Sequence, residues 1–131
     1  MPAQTNNSSD FGGLRIFVVE DEALVAMNLE MMLEDLGCIV VGPVMRFDRA
    51  EAMVGDDLVA DAAILDVNVG GREVFPLASR LTEKEVPVIF ASGYDRAGIP
   101  REWHEFPILQ KPYTTQDIAR ALSQVLANTK E

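Results

Sequence analysis

The stretch Ala62-Ala63-Ile64-Leu65-Asp66-Val67-Asn68 decides how this chain is read. An apolar run stops abruptly at a carboxylate. A short apolar run bounded by polar residues is the pattern of a strand buried on both faces, and a parallel sheet covered by helices on each side gives such unbroken runs in place of alternation. Asp66 then stands where the strand leaves the core. In open α/β sheets, ligand chemistry collects outside the carboxyl ends of the strands. Taken alone, an aspartate there reads equally well as the cap of the next turn. Other apolar runs tip the balance, because they too end in polar groups.

Leu14 to Val19 reads as the first strand and ends in Glu20-Asp21-Glu22. A helix follows, with Leu24, Val25, Met27, Leu29, Met31, Met32 and Leu36 at helical spacing. Its methionines are expected to fill the packing, and Gly37 to stop it. Cys38 to Val41 reads as the second strand, closed by Gly42-Pro43, and a weaker helix covers roughly Asp48 to Val54. After the strand that delivers Asp66, Gly70-Gly71 predicts a turn. A helix is expected from about Arg72 to Thr82, with Pro76 in its first turn, where proline is tolerated. Val86 to Ala91 is the fourth strand and leads into Ser92-Gly93-Tyr94. Gly98 and Pro100 weaken the segment from Asp95 to Phe106 to a short or irregular helix. Ile108-Leu109 gives a brief fifth strand before Gln110-Lys111-Pro112, and Ile118, Leu122, Val125 and Leu126 mark a final amphipathic helix. Strands alternating with helices imply an α/β fold, a parallel sheet with right-handed crossovers.

The 131 residues fit one domain, and 48% apolar with 24% charged residues is a globular balance. A net charge of −10 argues against nucleic-acid binding, which wants a basic footprint, and against an anionic membrane surface. The single cysteine, Cys38, excludes an internal disulfide and reads as a small core residue. No stretch is long enough to span a bilayer. Residues 1–13 are polar, lack a signal-peptide pattern and read as a flexible tail before a domain over 14–128; the expected location is the cytoplasm.

On one edge of such a sheet the strand ends would gather Glu20 and Asp21, Asp66 and Asn68, Ser92, and Lys111. Carboxylates brought together repel unless a cation neutralises them. Oxygen donors without His or Cys favour a hard ion, Mg²⁺ before Zn²⁺. Such an ion keeps positions open for a phosphoryl oxygen, and a carboxylate beside it can attack phosphorus to give an aspartyl-phosphate. A lysine and a hydroxyl opposite would hold the remaining oxygens, and phosphoryl transfer asks for little beyond positioning and charge neutralisation.

From Leu14 to Leu126 the pattern resembles the receiver domain of two-component response regulators. The residues that carry the likeness are Val18-Val19-Glu20-Asp21, Ile64-Leu65-Asp66, Ala91-Ser92-Gly93 and Lys111-Pro112. More narrowly, Asp66-Val67-Asn68-Val69-Gly70-Gly71, Phe90-Ala91-Ser92-Gly93-Tyr94 and Leu109-Gln110-Lys111-Pro112-Tyr113 resemble the alphaproteobacterial single-domain "FAT GUY" subgroup, linked to stress signalling, with serine in place of its threonine. The resemblance implies a flavodoxin-like, doubly wound sheet of five parallel strands in the order 2-1-3-4-5. It implies Asp66 as phosphoacceptor and Mg²⁺ held by Asp21 and Asp66, by Glu20 through water and by the Asn68 backbone carbonyl. It implies Ser92 and Lys111 on the phosphoryl group, and a cis Lys111-Pro112 bond. The implied partners are a sensor histidine kinase or histidine phosphotransfer protein and a downstream protein target. The family's usual aromatic three residues before the lysine is Ile108 here, so the ordinary serine-and-aromatic coupling cannot operate unchanged. Tyr94 is the expected substitute, and its ring is also expected to shield an aspartyl-phosphate from water. The turn at Gly70-Gly71 shortens the loop after Asp66.

Three rivals share parts of the pattern. A haloacid-dehalogenase-type phosphatase wants an acid two residues after its nucleophile, where this chain has Asn68. A flavin module wants a phosphate cradle after the first strand, where Glu20-Asp21-Glu22 would repel phosphate. A degenerate receiver would lack key residues that are present. The chain ends soon after the last helix, so output is expected through protein contacts, on a surface drawn from Trp103, Phe106, Ile108, Tyr113 and the final helix. Lone His104 is expected at the surface or in a partner contact and not as a catalyst.

Overall fold

The apolar runs become the middle of one sheet. The computed structural model describes residues 11–55, 57–93 and 98–129. In chain order its elements are β1 (Arg15–Val19), α1 (Ala23–Asp35), β2 (Ile39–Val44), α2 (Phe47–Gly55), β3 (Ala62–Asp66), β4 (Asn68–Val69), β5 (Arg72–Glu73), α3 (Phe75–Glu83), β6 (Val88–Ser92), a 3₁₀ turn (Arg101–Trp103), β7 (Ile108–Gln110) and α4 (Thr115–Thr129). The main sheet is parallel throughout, in the order β2-β1-β3-β6-β7. With the two-residue strands β4 and β5 set aside as a separate hairpin, this is the expected order 2-1-3-4-5.

Every residue of β3 and β6 is buried, as is β1 beyond Arg15. Side chains alternate across the sheet, so the same strands feed two cores. Phe17, Val19, Ala63, Leu65, Val88 and Phe90 pack with Phe47, Ala50 and Val54 of α2 and Leu77, Ala78 and Leu81 of α3. Ile16, Val18, Ile64, Ile89 and Leu109 pack with Leu29 and Leu33 of α1 and Ile118, Leu122 and Val125 of α4. Registers such as Val18↔Ile64 and Ile64↔Ile89 bring the carboxyl ends of β1, β3 and β6 level. That alignment is what assembles the site.

Several expectations are corrected. The second strand runs through Gly42-Pro43 to Val44, because β2 is an edge strand and a proline there removes no ladder bond that the sheet needs. The third helix starts at Phe75 and not near Arg72, since Arg72 and Glu73 pair with Val69 and Asn68 across the Gly70-Gly71 turn. Both glycines have positive φ, +59° and +85°, as a tight two-residue hairpin turn requires. In α1 the buried residues are Ala26, Leu29 and Leu33, while Leu24, Met27 and Met31 are 75%, 57% and 60% exposed. Of the helix's methionines, Met32 packs partly buried against the core as expected, but Met27 and Met31 do not fill it. Phe11, within the stretch expected as a tail, is buried in the core layer beneath α1 and α4. The thiol of Cys38 is buried as expected, and burial pushes it up to about 11.

Trp103 and Tyr113 are also buried, so neither presents the exposed surface expected of it. Trp103 sits edge-on to Phe90 with ring centroids 5.5 Å apart and stacks on Phe75 at 6.2 Å. Phe106 closes the cluster against Trp103 and Phe90, at 5.4 and 6.4 Å. His104 is half-buried, and its Nε2 lies 2.6 Å from the Ile99 carbonyl. Ile108 is half-buried at the start of β7. Phe90 is fully buried at the centre of this aromatic group, so Phe90→Ala is expected to cost about 3–5 kcal/mol. Urea unfolding followed at Trp103, the only tryptophan of the chain, measures it.

Candidate functional site

Glu20 follows the last residue of β1, Asp66 ends β3, Ser92 ends β6 and Lys111 follows β7. Parallel register therefore delivers all four to one edge. Glu20, Asp21 and Asp66 each offer a carboxylate oxygen within 4.8 Å of the others. Glu20 is 1% exposed and Asp66 8%. Lys111 reaches into this group, with Nζ 3.1 Å from Asp66 Oδ2, 3.1 Å from Glu20 Oε1 and 3.4 Å from Glu22 Oε1. Sequence reasoning placed Lys111 opposite the acids but missed Glu22 as its third partner. The Lys111–Pro112 bond is cis.

Backbone groups fix the carboxylates. Glu20 Oε2 accepts the Glu22 amide at 3.0 Å, at the entrance to α1. The Asn68 amide leans towards Asp66 Oδ1 at 3.4 Å, which brings the Asn68 backbone to the cluster, while its side-chain oxygen accepts the Gly71 amide at 3.0 Å. Asp21 Oδ2 accepts the Gly70 amide at 2.8 Å. That last bond joins residues 49 apart, and the only sequence signal for it was the forced turn at the paired glycines. Ser92 is buried, and its carbonyl accepts the Lys111 amide at 2.8 Å. Tyr94 lies outside the described residues.

The electrostatics follow from crowding three acids in a poorly solvated place. Burial first, and then the carboxyl of Asp66 beside it, push Glu20 up to about 7. Burial opposes the charge of Lys111, yet the carboxylates of Asp66 and Glu20 outweigh it and hold the ammonium above its ordinary value. Burial, and next the negative charge of Glu20, push the Tyr113 hydroxyl up to about 12. That hydroxyl is buried with no hydrogen-bond partner among the described residues, and Glu20 Oε1 is buried with the Lys111 ammonium 3.1 Å away. Three carboxylates this close, with one ammonium among them, fit a hard divalent cation, and the all-oxygen donor set suits Mg²⁺. Glu20, Asp21 and Asp66 are the side chains that would hold it.

Beside the cluster, Val25, Asn28, Met32, Lys111, Pro112 and Tyr113 line a pocket of about 350 Å³ between α1 and the β7–α4 connection. The exposed Leu24, Met27 and Met31 lie on the same helix.

A carboxyl whose folded value lies above its unfolded one holds an extra proton in the folded state between the two, so stability falls as pH rises through that interval. For Glu20 the interval runs from 4.5 to about 7. In EDTA the protein is expected to lose stability relative to Glu20→Gln across it, read as the difference in urea midpoint. A flat difference contradicts the assignment.

No protein-family model matches the chain. Among solved structures it is similar to SdrG from Sphingomonas melonis Fr1, with 41% identity and a TM-score of 0.78 over 87% of this chain and 97% of that one. It is also similar to the BeF3-activated conformation of SdrG from Pseudomonas melonis Fr1, at 41% identity and a TM-score of 0.74 over 87% and 98%. The response regulator PhyR from Brucella abortus matches at 25% identity and a TM-score of 0.77, over 95% of this chain and 52% of that one. In sequence, the phyllosphere-induced regulator PhyR of Methylorubrum extorquens is 32% identical over 117 residues, 85% of this chain and 43% of that protein. The chain spans about half the length of the curated relatives it matches. With the sheet order, the acidic rim and a relative matched along nearly its whole length, the chain belongs to the receiver domains of response regulators.

Proposed function

We propose that Asp66 accepts a phosphoryl group from the phosphohistidine of a sensor histidine kinase or histidine phosphotransfer protein, that Mg²⁺ bound at the acidic rim is required, and that a downstream protein reads the result. The observation that best supports this is one carboxylate, Asp66, 8% exposed, with an ammonium 3.1 Å away and two more carboxylates within 4.8 Å. In the proposed step an Asp66 oxygen bonds to phosphorus as the N–P bond of the donor breaks, and the donor imidazole leaves with the electron pair. A bound Mg²⁺ would supply charge neutralisation for the incoming phosphoryl oxygens. Lys111 would take one of those oxygens, exchanging a carboxylate partner for a phosphoryl one. Ser92, at the end of β6, would donate its hydroxyl to another. Asn68 would turn its backbone carbonyl to the metal.

Transfer brings a second protein against the rim, and exposed apolar groups flank the rim on α1. Leu24, Met27 and Met31 stand out from α1, which begins two residues after Asp21. Exposed apolar groups in one patch mark contact surfaces, and methionine suits a partner surface that has to adapt. We assign this patch to the phosphodonor. For the read-out, phosphorylation adds about two negative charges at the rim, which biases Ser92 and Lys111 and whatever surface they move. Tyr94 is our candidate for the coupling that Ile108 cannot supply. We place the protein in the cytoplasm; no helix among the described residues is long and apolar enough to cross a membrane.

Asp66→Asn is expected to abolish labelling by acetyl phosphate, and EDTA to suppress it in the wild type; labelling of Asp66→Asn at the wild-type rate would end this reading. Beryllium fluoride, which has the tetrahedral shape of a phosphoryl group, should perturb the wild type in the presence of Mg²⁺ and leave Asp66→Asn unchanged by NMR. Met27→Glu should slow transfer from a cognate phosphohistidine donor roughly tenfold, the equivalent of about 1.4 kcal/mol, and leave acetyl phosphate labelling as it was. Equal loss with both donors would mean that the substitution disturbs the rim and not a docking surface.

A further inference from the structure

We infer that the hairpin β4–β5 is a working part of the metal site: the Gly70 amide positions the Asp21 carboxylate, and the hairpin's anchorage on α2 sets how firmly it does so. This rests on the proposed Mg²⁺-dependent reading of the site.

The hydrogen bond from Gly70 N–H to Asp21 Oδ2 is 2.8 Å long, which is short for an N–H···O bond and consistent with a charged acceptor. Asp21 is the most exposed of the three acids and follows β1 on a stretch without regular structure, so little else orients it. Among the described residues its carboxylate carries no ion pair, in contrast to Glu20 and Asp66, which share Lys111. The hairpin tip supplies what the lysine does not reach. Groups that hydrogen-bond a ligating carboxylate from outside fix its direction and tune the metal.

The tip can do this because its base is tied down. Val69 and Val74 are fully buried, and the Val74 amide closes the base on the Val67 carbonyl at 2.8 Å. The guanidinium of Arg72 lies over the Phe47 ring at 3.9 Å from its centroid and 3.9 Å from Glu51, both on α2. The Asn68 side chain accepts the Gly71 amide and locks the turn from inside. The turn needs positive φ at both Gly70 and Gly71, and a Cβ at either would meet nothing within 4 Å. Substitution there acts through backbone conformation and not through a clash. Asparagine tolerates the left-handed region and alanine does not.

The test is Mg²⁺ titration of the intact chain by calorimetry, with hydrogen exchange of the Gly70 amide in parallel. Gly70→Ala with Gly71→Ala is expected to weaken Mg²⁺ binding by about tenfold, the lower end for lost outer-shell partners. Gly70→Asn alone, which keeps the turn, should stay close to the wild type. Arg72→Ala, which leaves the acidic residues untouched, should speed exchange of the Gly70 amide in the metal-free protein and weaken Mg²⁺ binding in the same direction. Circular dichroism and the urea midpoint report whether each variant is folded. Unchanged affinity in both the double-alanine and Arg72→Ala variants, with wild-type binding intact, overturns this inference and spares the reading of the site. No Mg²⁺ binding by the wild type overturns both.

Discussion

One ammonium among three carboxylates sets the terms for this molecule. Lys111 meets Asp66 and Glu20, both buried, at 3.1 Å, and the exposed Glu22 at 3.4 Å. Leaving a buried charge without its partner costs about 3–5 kcal/mol, so in the absence of another cation the lysine stabilises the acidic rim against its own repulsion. A second cation at the rim, as proposed above, would offset the negative charge that Lys111 leaves. With one positive charge set against Glu20, Asp21 and Asp66, the rim keeps an excess of negative charge, and Glu20 is pushed up to about 7 by burial and by the Asp66 carboxyl beside it. In the proposed reaction Lys111 would exchange carboxylate contacts for those of an incoming anion.

That crowding of charge depends on the geometry that the sheet fixes. A one-residue slip of β3 or β6 would exchange the side chains packed in the two cores, setting Ile89 where Phe90 now meets its aromatic partners. Their ends therefore stay level, and the polar residues that follow inherit a common position. The hydrophobic cores hold the charges together, and the charges pay for it in lost solvation.

Much of this was legible in the sequence because burial on both faces writes unbroken apolar runs, and the polar residue ending each run marks the rim. Glu20, Asp21, Asp66, Ser92 and Lys111 were found that way. What could not be read has physical reasons. In α1 apolar residues occupy most of the helix circumference, so periodicity cannot say which of Leu24, Met27, Leu29, Met31 and Leu33 faces inward; the sheet and α4 decide that. Strands of two residues, such as β4 and β5, carry no period at all. The edge position of β2, which excuses Pro43, is a property of topology and not of the local sequence. The pairing of Asp21 with the Gly70 amide spans 49 residues and has no local signature beyond two glycines.

The two apolar layers on opposite sides of the sheet have a consequence for descent. One layer lies beneath α2 and α3 and contains the four-ring group around Phe90; the other lies beneath α1 and α4. Since a strand side chain belongs to one side only, the two share no buried side chain, and a volume change on one side calls for compensation there and not across the sheet. Natural variants can thus remodel the helices of one flank while the other keeps its shape. A lineage could acquire a new interlocutor on one flank without surrendering an existing one on the other.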